Sequence, residues 1–92
     1  MAAGHSKAWY VYLVECRDGS LYTGIARDVQ TRVAAHNDGG GARYTRSRRP
    51  VRLVYKVRMA GKSQALRREH AIKQLKAADK RRLVARRPIK GA

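Results

Sequence analysis

Acidic residues are scarce in this sequence: six Asp and Glu stand against 22 Lys and Arg, for a formal net charge of +16. A compact fold carrying so much uncompensated charge repels itself, so the imbalance implies a polyanionic partner. Nucleic acid is the first candidate, because neutralising phosphates releases counterions. An anionic membrane surface is the weaker alternative, since no stretch pairs a large apolar helical face with a basic one. Cysteine is almost missing. Cys16 stands alone, which excludes an internal disulfide and accords with a reducing cytoplasm. No apolar run approaches the roughly 20 residues that span a bilayer, and residues 1–7 lack the apolar stretch of a secretion signal. A cytoplasmic location with no membrane association is therefore expected. Also missing are a His/Cys cluster at zinc spacing and a serine or cysteine triad. The glycines Gly39-Gly40-Gly41 are not followed by the Lys-Ser/Thr of a phosphate-cradling loop.

What is present reads as one domain of 92 residues, small enough to bury only about 60–65% of its unfolded surface. Residues 1–7 read as a flexible lead, 8–84 as the folded domain and 85–92 as a basic tail. Trp9 to Val14 is rich in aromatic and β-branched residues and predicts a strand. The Asp18-Gly19 pair signals a turn, and Leu21 to Ile25 returns as a second, antiparallel strand that brings Tyr22 near Tyr12. Asp28 is a helix N-cap residue, and a helix over Val29–Asn37 puts Val29 and Val33 toward the core and Arg32 and His36 on one face. Gly39-Gly40-Gly41 ends it. Residues 42–50 read as a basic loop, Val51 to Arg58 as a third strand, and Ser63 as the cap of a second helix running to about Lys76. Asp79 caps a last short helix through about Val84. The order β-β-α-β-α-α predicts a small α+β domain: a three-stranded, mostly antiparallel sheet flanked by helices.

Several side chains are candidates for chemistry, each with a plainer alternative. Glu69 lies inside the apolar stripe Ala65, Leu66, Ile72, Leu75 of the second helix. A carboxylate turned toward a core needs a partner, either an arginine in a salt bridge or a metal ion. His36 reads as a partly exposed helical histidine that is either unremarkable or a ligand, general acid or phosphate donor. Tyr12 and Tyr22 either cover half-buried strand surface or act on substrate. Arg43, Arg46, Arg48 and Arg49, with Lys73 on the second helix, suit phosphate contacts, while Tyr44 either stacks on an unpaired base or packs inward.

Taken as a set, these positions resemble the GIY-YIG nuclease domain. Tyr10-Val11-Tyr12 stands as the first half-motif and Tyr22-Thr23-Gly24 as the second. Arg32 sits on the first helix where that family carries an arginine, and Glu69, in Ala65-Leu66-Arg67-Arg68-Glu69-His70-Ala71-Ile72-Lys73, matches its metal-binding glutamate. Residues 42–51 resemble the loop of the small single-domain bacterial members. The resemblance spans residues 8–84. It departs from the motif at Tyr10, where the first glycine would stand, at Val11 and at Thr23, all interior strand positions.

The resemblance implies a metal-dependent endonuclease acting on DNA, with branched, flapped or damaged structures favoured over a fixed sequence, in repair or processing. One carboxylate suits Mg2+ (or Mn2+), which fills its shell with water and phosphate oxygens. Glu69 is the expected metal ligand, Arg32 the clamp on a phosphate oxygen, and one of Tyr12 and Tyr22 the group that activates water. His36 ranks behind them, assisting a tyrosine or a phosphate. Two other readings stay open: a non-catalytic nucleic-acid-binding module, and a subunit that cuts only with a partner protein supplying specificity.

Overall fold

The computed structural model describes residues 8–87 and Ile89. The expected lead over residues 1–7 and the end of the expected tail, Pro88 and residues 90–92, lie outside them. Three strands, β1 (Trp9–Glu15), β2 (Leu21–Ala26) and β3 (Arg52–Met59), form one sheet in the order β2-β1-β3, antiparallel throughout. The hairpin turn is fixed locally: Gly19 has φ +86, and Ser20 donates through its N–H and its hydroxyl to Asp18 Oδ1. The order of elements is as the sequence predicts, with one addition. The basic segment 42–50 is not all loop, because Arg43–Arg46 forms a single helical turn, here α2.

Helix α1 (Val29–Asn37) begins where Asp28 accepts from the Thr31 N–H at 3.1 Å. Helices α3 (Lys62–Lys73) and α4 (Ala77–Arg86) follow β3. The sheet carries apolar residues on both faces. Val11, Leu13, Tyr55, Ala65 and Ile72 pack on the side of α3 and α4, while Tyr12, Val14, Val29 and Val51 pack on the side of α1. As the central strand, β1 is covered on both sides, so Val11 to Val14 are all buried and its sequence shows a continuous apolar run rather than alternation.

The second long helix departs from its expected details. Ser63 does not cap it. Gly61 occupies the N-cap without a side-chain hydrogen bond, and Ser63 lies in the first turn, where Arg67 donates to its hydroxyl. Leu66 and Leu75, expected on the apolar stripe, are exposed (46% and 37%). A 12-residue helix on a three-stranded sheet buries only a narrow seam, here Ala65 and Ile72. Leu66 stands about 100° round the axis from Ala65, and Leu75 lies past the helix end. The last helix starts at Ala77, so Asp79 is a first-turn residue paired with Arg82 rather than a cap.

Candidate active site

The site grows from the middle of the hairpin. Tyr12 pairs across the strands with Gly24, and Tyr22 pairs with Val14, so the two tyrosines are diagonal neighbours on one face. Gly24 is required for space: a Cβ there would lie 2.5 Å from the Tyr12 hydroxyl oxygen and 2.7 Å from its Cζ. The ring of Tyr12 lies across the place where any other residue would carry a side chain.

Helix α1 lays Val29, Val33 and His36 along this face, a seam at i, i+4, i+7. The histidine is fully buried, not partly exposed as the sequence suggests. Its Nε2 is 2.8 Å from the Tyr12 hydroxyl and its Nδ1 is 2.8 Å from Thr45 Oγ1. Thr45, also fully buried, donates to the Ala42 carbonyl at 3.0 Å. The Ala42 N–H, a donor whose direction the backbone fixes, points at Nδ1 at 3.3 Å, so Nδ1 is an acceptor and Nε2–H donates to the Tyr12 oxygen. The single Thr45 hydroxyl proton is shared between the Ala42 carbonyl and Nδ1. Gly41 leaves room for the imidazole, since a Cβ there would collide with the His36 ring.

Burial sets the protonation of this chain. It pushes the Tyr12 hydroxyl up to about 12, and a hydrogen bond from Arg32, with that residue's charge, pulls the other way without winning. The pull of Arg32 toward a phenolate is therefore overcome at Tyr12, which remains a neutral hydroxyl. His36 is held below the ordinary histidine value, by burial and then by the Arg32 charge, and stays neutral. Glu69 and Tyr22 also act on Tyr12 electrostatically, so Tyr12, Tyr22, Arg32, His36 and Glu69 belong to one neighbourhood.

Tyr22 is the more open of the two tyrosines, half-buried where Tyr12 is 1% exposed. Its ring meets His36 edge-on at 5.3 Å and stacks on Tyr44 at 6.0 Å. The guanidinium of Arg48 lies 3.8 Å from the Tyr44 ring centre, donates to the Tyr44 carbonyl at 2.8 Å and reaches Asp18 at 3.1 Å. Tyr44 thus joins a protein stack while keeping 38% exposure. Arg32 is exposed, as are Arg43, Arg46 and Arg49. Lys73 is exposed too and pairs with Glu69 at 3.2 Å, whose side chain is 17% exposed. Arg48 is the exception among the basic candidates, tied to Tyr44 and Asp18.

Among the described residues no three His, Cys, Asp or Glu gather at one point. Glu69 is the carboxylate of the cluster, and its ion-pair partner is a flexible exposed lysine. Such a donor set fits a hard cation that takes one protein ligand and completes its shell with water and phosphate oxygens.

This fold and this cluster have relatives. The pattern of the GIY-YIG catalytic domain matches residues 8–82. A UPF0213 protein of Desulfotalea psychrophila is 55% identical over 78 residues, covering 84% of this chain and 71% of its own length. One from Staphylococcus saprophyticus is 50% identical over 76 residues, 83% of this chain and 93% of its own. The solution NMR structure of a UPF0213 protein from Bacillus halodurans superimposes with a TM-score of 0.59 at 42% identity, over 90% of this chain and 88% of that one. A solved protein from E. faecalis gives 0.60 at 32% identity, over 88% and 86%. The chain belongs to the GIY-YIG family, and to the small single-domain members represented by these UPF0213 relatives. The wider superfamily is one of nucleases, which generally use divalent metals. Among the described residues no helix is long and apolar enough to cross a membrane.

Two residues of the site escape a sequence reading. Thr45 sits in a segment with no periodicity to mark it as buried. Gly41 is legible as a helix terminator but not as the space under His36. The one available signal is that His36 continues the Val29, Val33 seam by one more step.

Proposed function

We propose that this domain is a divalent-metal-dependent endonuclease that hydrolyses DNA phosphodiester bonds, selects branched or flapped structure over sequence, and serves DNA repair or processing. The observation that carries the reading is that Tyr22, Arg32 and Glu69 all lie close enough to act on the charge of the buried Tyr12 hydroxyl. A binding module has no use for a half-buried carboxylate where phosphate must approach. The exposed arginines suit phosphates and carry no base readout; the preference for branched or flapped structure is what the family resemblance implies.

Glu69 is the residue that would hold Mg2+ or Mn2+, which supplies Lewis acidity toward the scissile phosphate and its leaving oxygen. Arg32, exposed and planar, grips a phosphate oxygen and offsets the charge that develops there. Tyr22, the motif tyrosine open to solvent, is assigned to position the attacking water and to take its proton once its own hydroxyl proton has passed to solvent. Tyr12 keeps its own proton and uses its oxygen to accept from His36 and to hold Arg32 in place. His36 and Thr45 set the direction of the Tyr12 hydroxyl and touch no substrate. Arg43, Arg46 and Arg49 neutralise flanking phosphates, and Lys73 exchanges Glu69 for phosphate when substrate arrives. Arg48 and Tyr44 support the Tyr22 ring.

The test is cleavage of labelled flap, branched, duplex and single-stranded DNA by the purified chain with Mg2+, beside EDTA and Glu69→Ala controls. Metal-dependent cutting that disappears in Glu69→Ala supports the mechanism. Binding without cutting, the same in Glu69→Ala and with every metal tried, refutes it in favour of a gripping module. Cutting that appears only when a cell fraction is added points to a subunit completed by a partner protein.

A further inference from the structure

Three arginines outside the catalytic cluster converge on one pocket. Arg17, just past β1, and Arg46 and Arg49, at and after α2, line a cavity of about 510 Å3 together with Asn37, Ser47 and Pro50. The ion pairs among the described residues engage Arg48, Arg52, Lys73, Arg81 and Arg82. The charges of Arg17, Arg46 and Arg49 are thus left without a carboxylate. Placing three unneutralised cations around one concavity is unfavourable unless an anion joins them.

The pocket is held in shape by neutral groups. Arg49 donates through Nε to the Arg46 carbonyl at 2.9 Å and through a terminal nitrogen to the Asn37 carbonyl at 3.2 Å. Carbonyl partners fix its planar group without cancelling its charge. Asn37 is itself fixed, accepting from the Val51 N–H at 2.7 Å and donating to the Val51 carbonyl at 2.9 Å. The Arg17 N–H donates to the Arg48 carbonyl at 2.9 Å, which ties the first strand's exit to the same segment. Asn37 lies five residues past Arg32 on α1, about 7.5 Å along the axis and roughly 140° round it. The pocket is therefore not another wall of the catalytic cluster.

We propose that this pocket is a second phosphate site, taking a non-scissile phosphate of the nucleic-acid strand and so setting the strand's register on the domain. Guanidinium forks match phosphate oxygens in pairs, and a phosphate gripped at Arg32 leaves a neighbour along the strand for the pocket. The word non-scissile rests on the nuclease reading; the binding does not. A terminal phosphomonoester and an internal phosphodiester share the chemistry, and the probes separate them.

The experiment uses 15N-labelled Glu69→Ala protein without metal, so that no probe is cut. Inorganic phosphate, a short 5′-phosphorylated thymidine oligonucleotide and its 5′-hydroxyl twin are titrated while amide shifts are followed. Saturable shifts confined to residues 17, 37 and 46–49 are expected, and they vanish in Arg17→Gln/Arg46→Gln. Shifts with both oligonucleotides assign an internal phosphate; shifts with the phosphorylated one alone assign a terminus. The side chains replaced have no partners among the described residues, and the dispersion of the amide spectrum verifies folding. Arg58→Gln/Arg86→Gln removes equal charge elsewhere and keeps the localised shifts. On single-stranded DNA the pocket variant also lowers the slope of log affinity against log salt by about 0.7 relative to that control, the loss of one phosphate contact. Shifts spread evenly over the basic surface, or equal behaviour of the two double variants, overturn the proposal. Cleavage by the parent chain with Mg2+ is scored separately: no localised shifts in the Glu69→Ala protein beside cutting by the parent sinks the pocket alone, and localised shifts there without cutting by the parent sink the nuclease reading alone.

Discussion

Replacing Thr45 with valine keeps the shape of a fully buried side chain and removes one oxygen. That oxygen holds the His36 Nδ1 at 2.8 Å and the Ala42 carbonyl at 3.0 Å. In Thr45→Val the buried His36 Nδ1 and the Ala42 carbonyl both lose their hydroxyl donor, which costs about 1–3 kcal/mol. In a domain of this size each kcal/mol lowers Tm by about 4–8 °C, so a fall of roughly 10 °C is expected by circular dichroism near neutral pH. Function should change as well. Without the Thr45 hydroxyl the His36 ring loses one of its two side-chain anchors, and with it the fixed position from which it holds the Tyr12 hydroxyl. The cleavage rate should drop while DNA affinity holds, and the ring 15N shifts of His36 should report the lost hydrogen bond at Nδ1. Thr45→Ser, which restores the hydroxyl, should recover most of the rate. A Tm for Thr45→Val within about 1 °C of the parent, or Thr45→Ser behaving no better than Thr45→Val, would refute the relay.

Gly24→Ala places a methyl group against the Tyr12 hydroxyl, a clash the pinned ring cannot easily escape, so a loss of about 1–3 kcal/mol is expected in urea unfolding. An unchanged midpoint would show the ring to be free. Tyr12 titrates at about 12 in the fold against about 10 in the unfolded chain. Its folded value is raised, so its contribution, about 3 kcal/mol, is complete below pH 10 and is lost as pH rises from 10 to 12. Tyr12→Phe should remove that alkaline loss; an identical profile in both proteins would contradict it. His36 is depressed in the fold, so its contribution is present above the ordinary histidine range and is lost as pH falls below it. His36→Gln should flatten the acid limb of stability measured by chemical denaturation, and an unaltered limb would count against buried neutral imidazole.

The order of the elements apart from α2, the hairpin, the α1 boundaries and the elements that carry Tyr12, Tyr22, Arg32 and Glu69 are legible in the chain. Each of those rests on a local rule: a run of β-branched residues, an Asp-Gly turn, an Asp cap, a fixed motif spacing. How the site is held is a matter of packing. Nothing local says that α1 buries His36 on Tyr12, that Thr45 closes the chain of hydrogen bonds from a segment read as loop, or that Leu66 and Leu75 lie off the seam. Those outcomes depend on how wide the sheet is and on which segment covers its α1 face. The protonation of Tyr12 was likewise beyond the sequence, because burial, a property of the packed fold, outweighs the pull of Arg32 and keeps the proton on. Arg17, Arg46 and Arg49 differ little from the other arginines in the chain until the fold places them around one pocket and spends the few acids elsewhere.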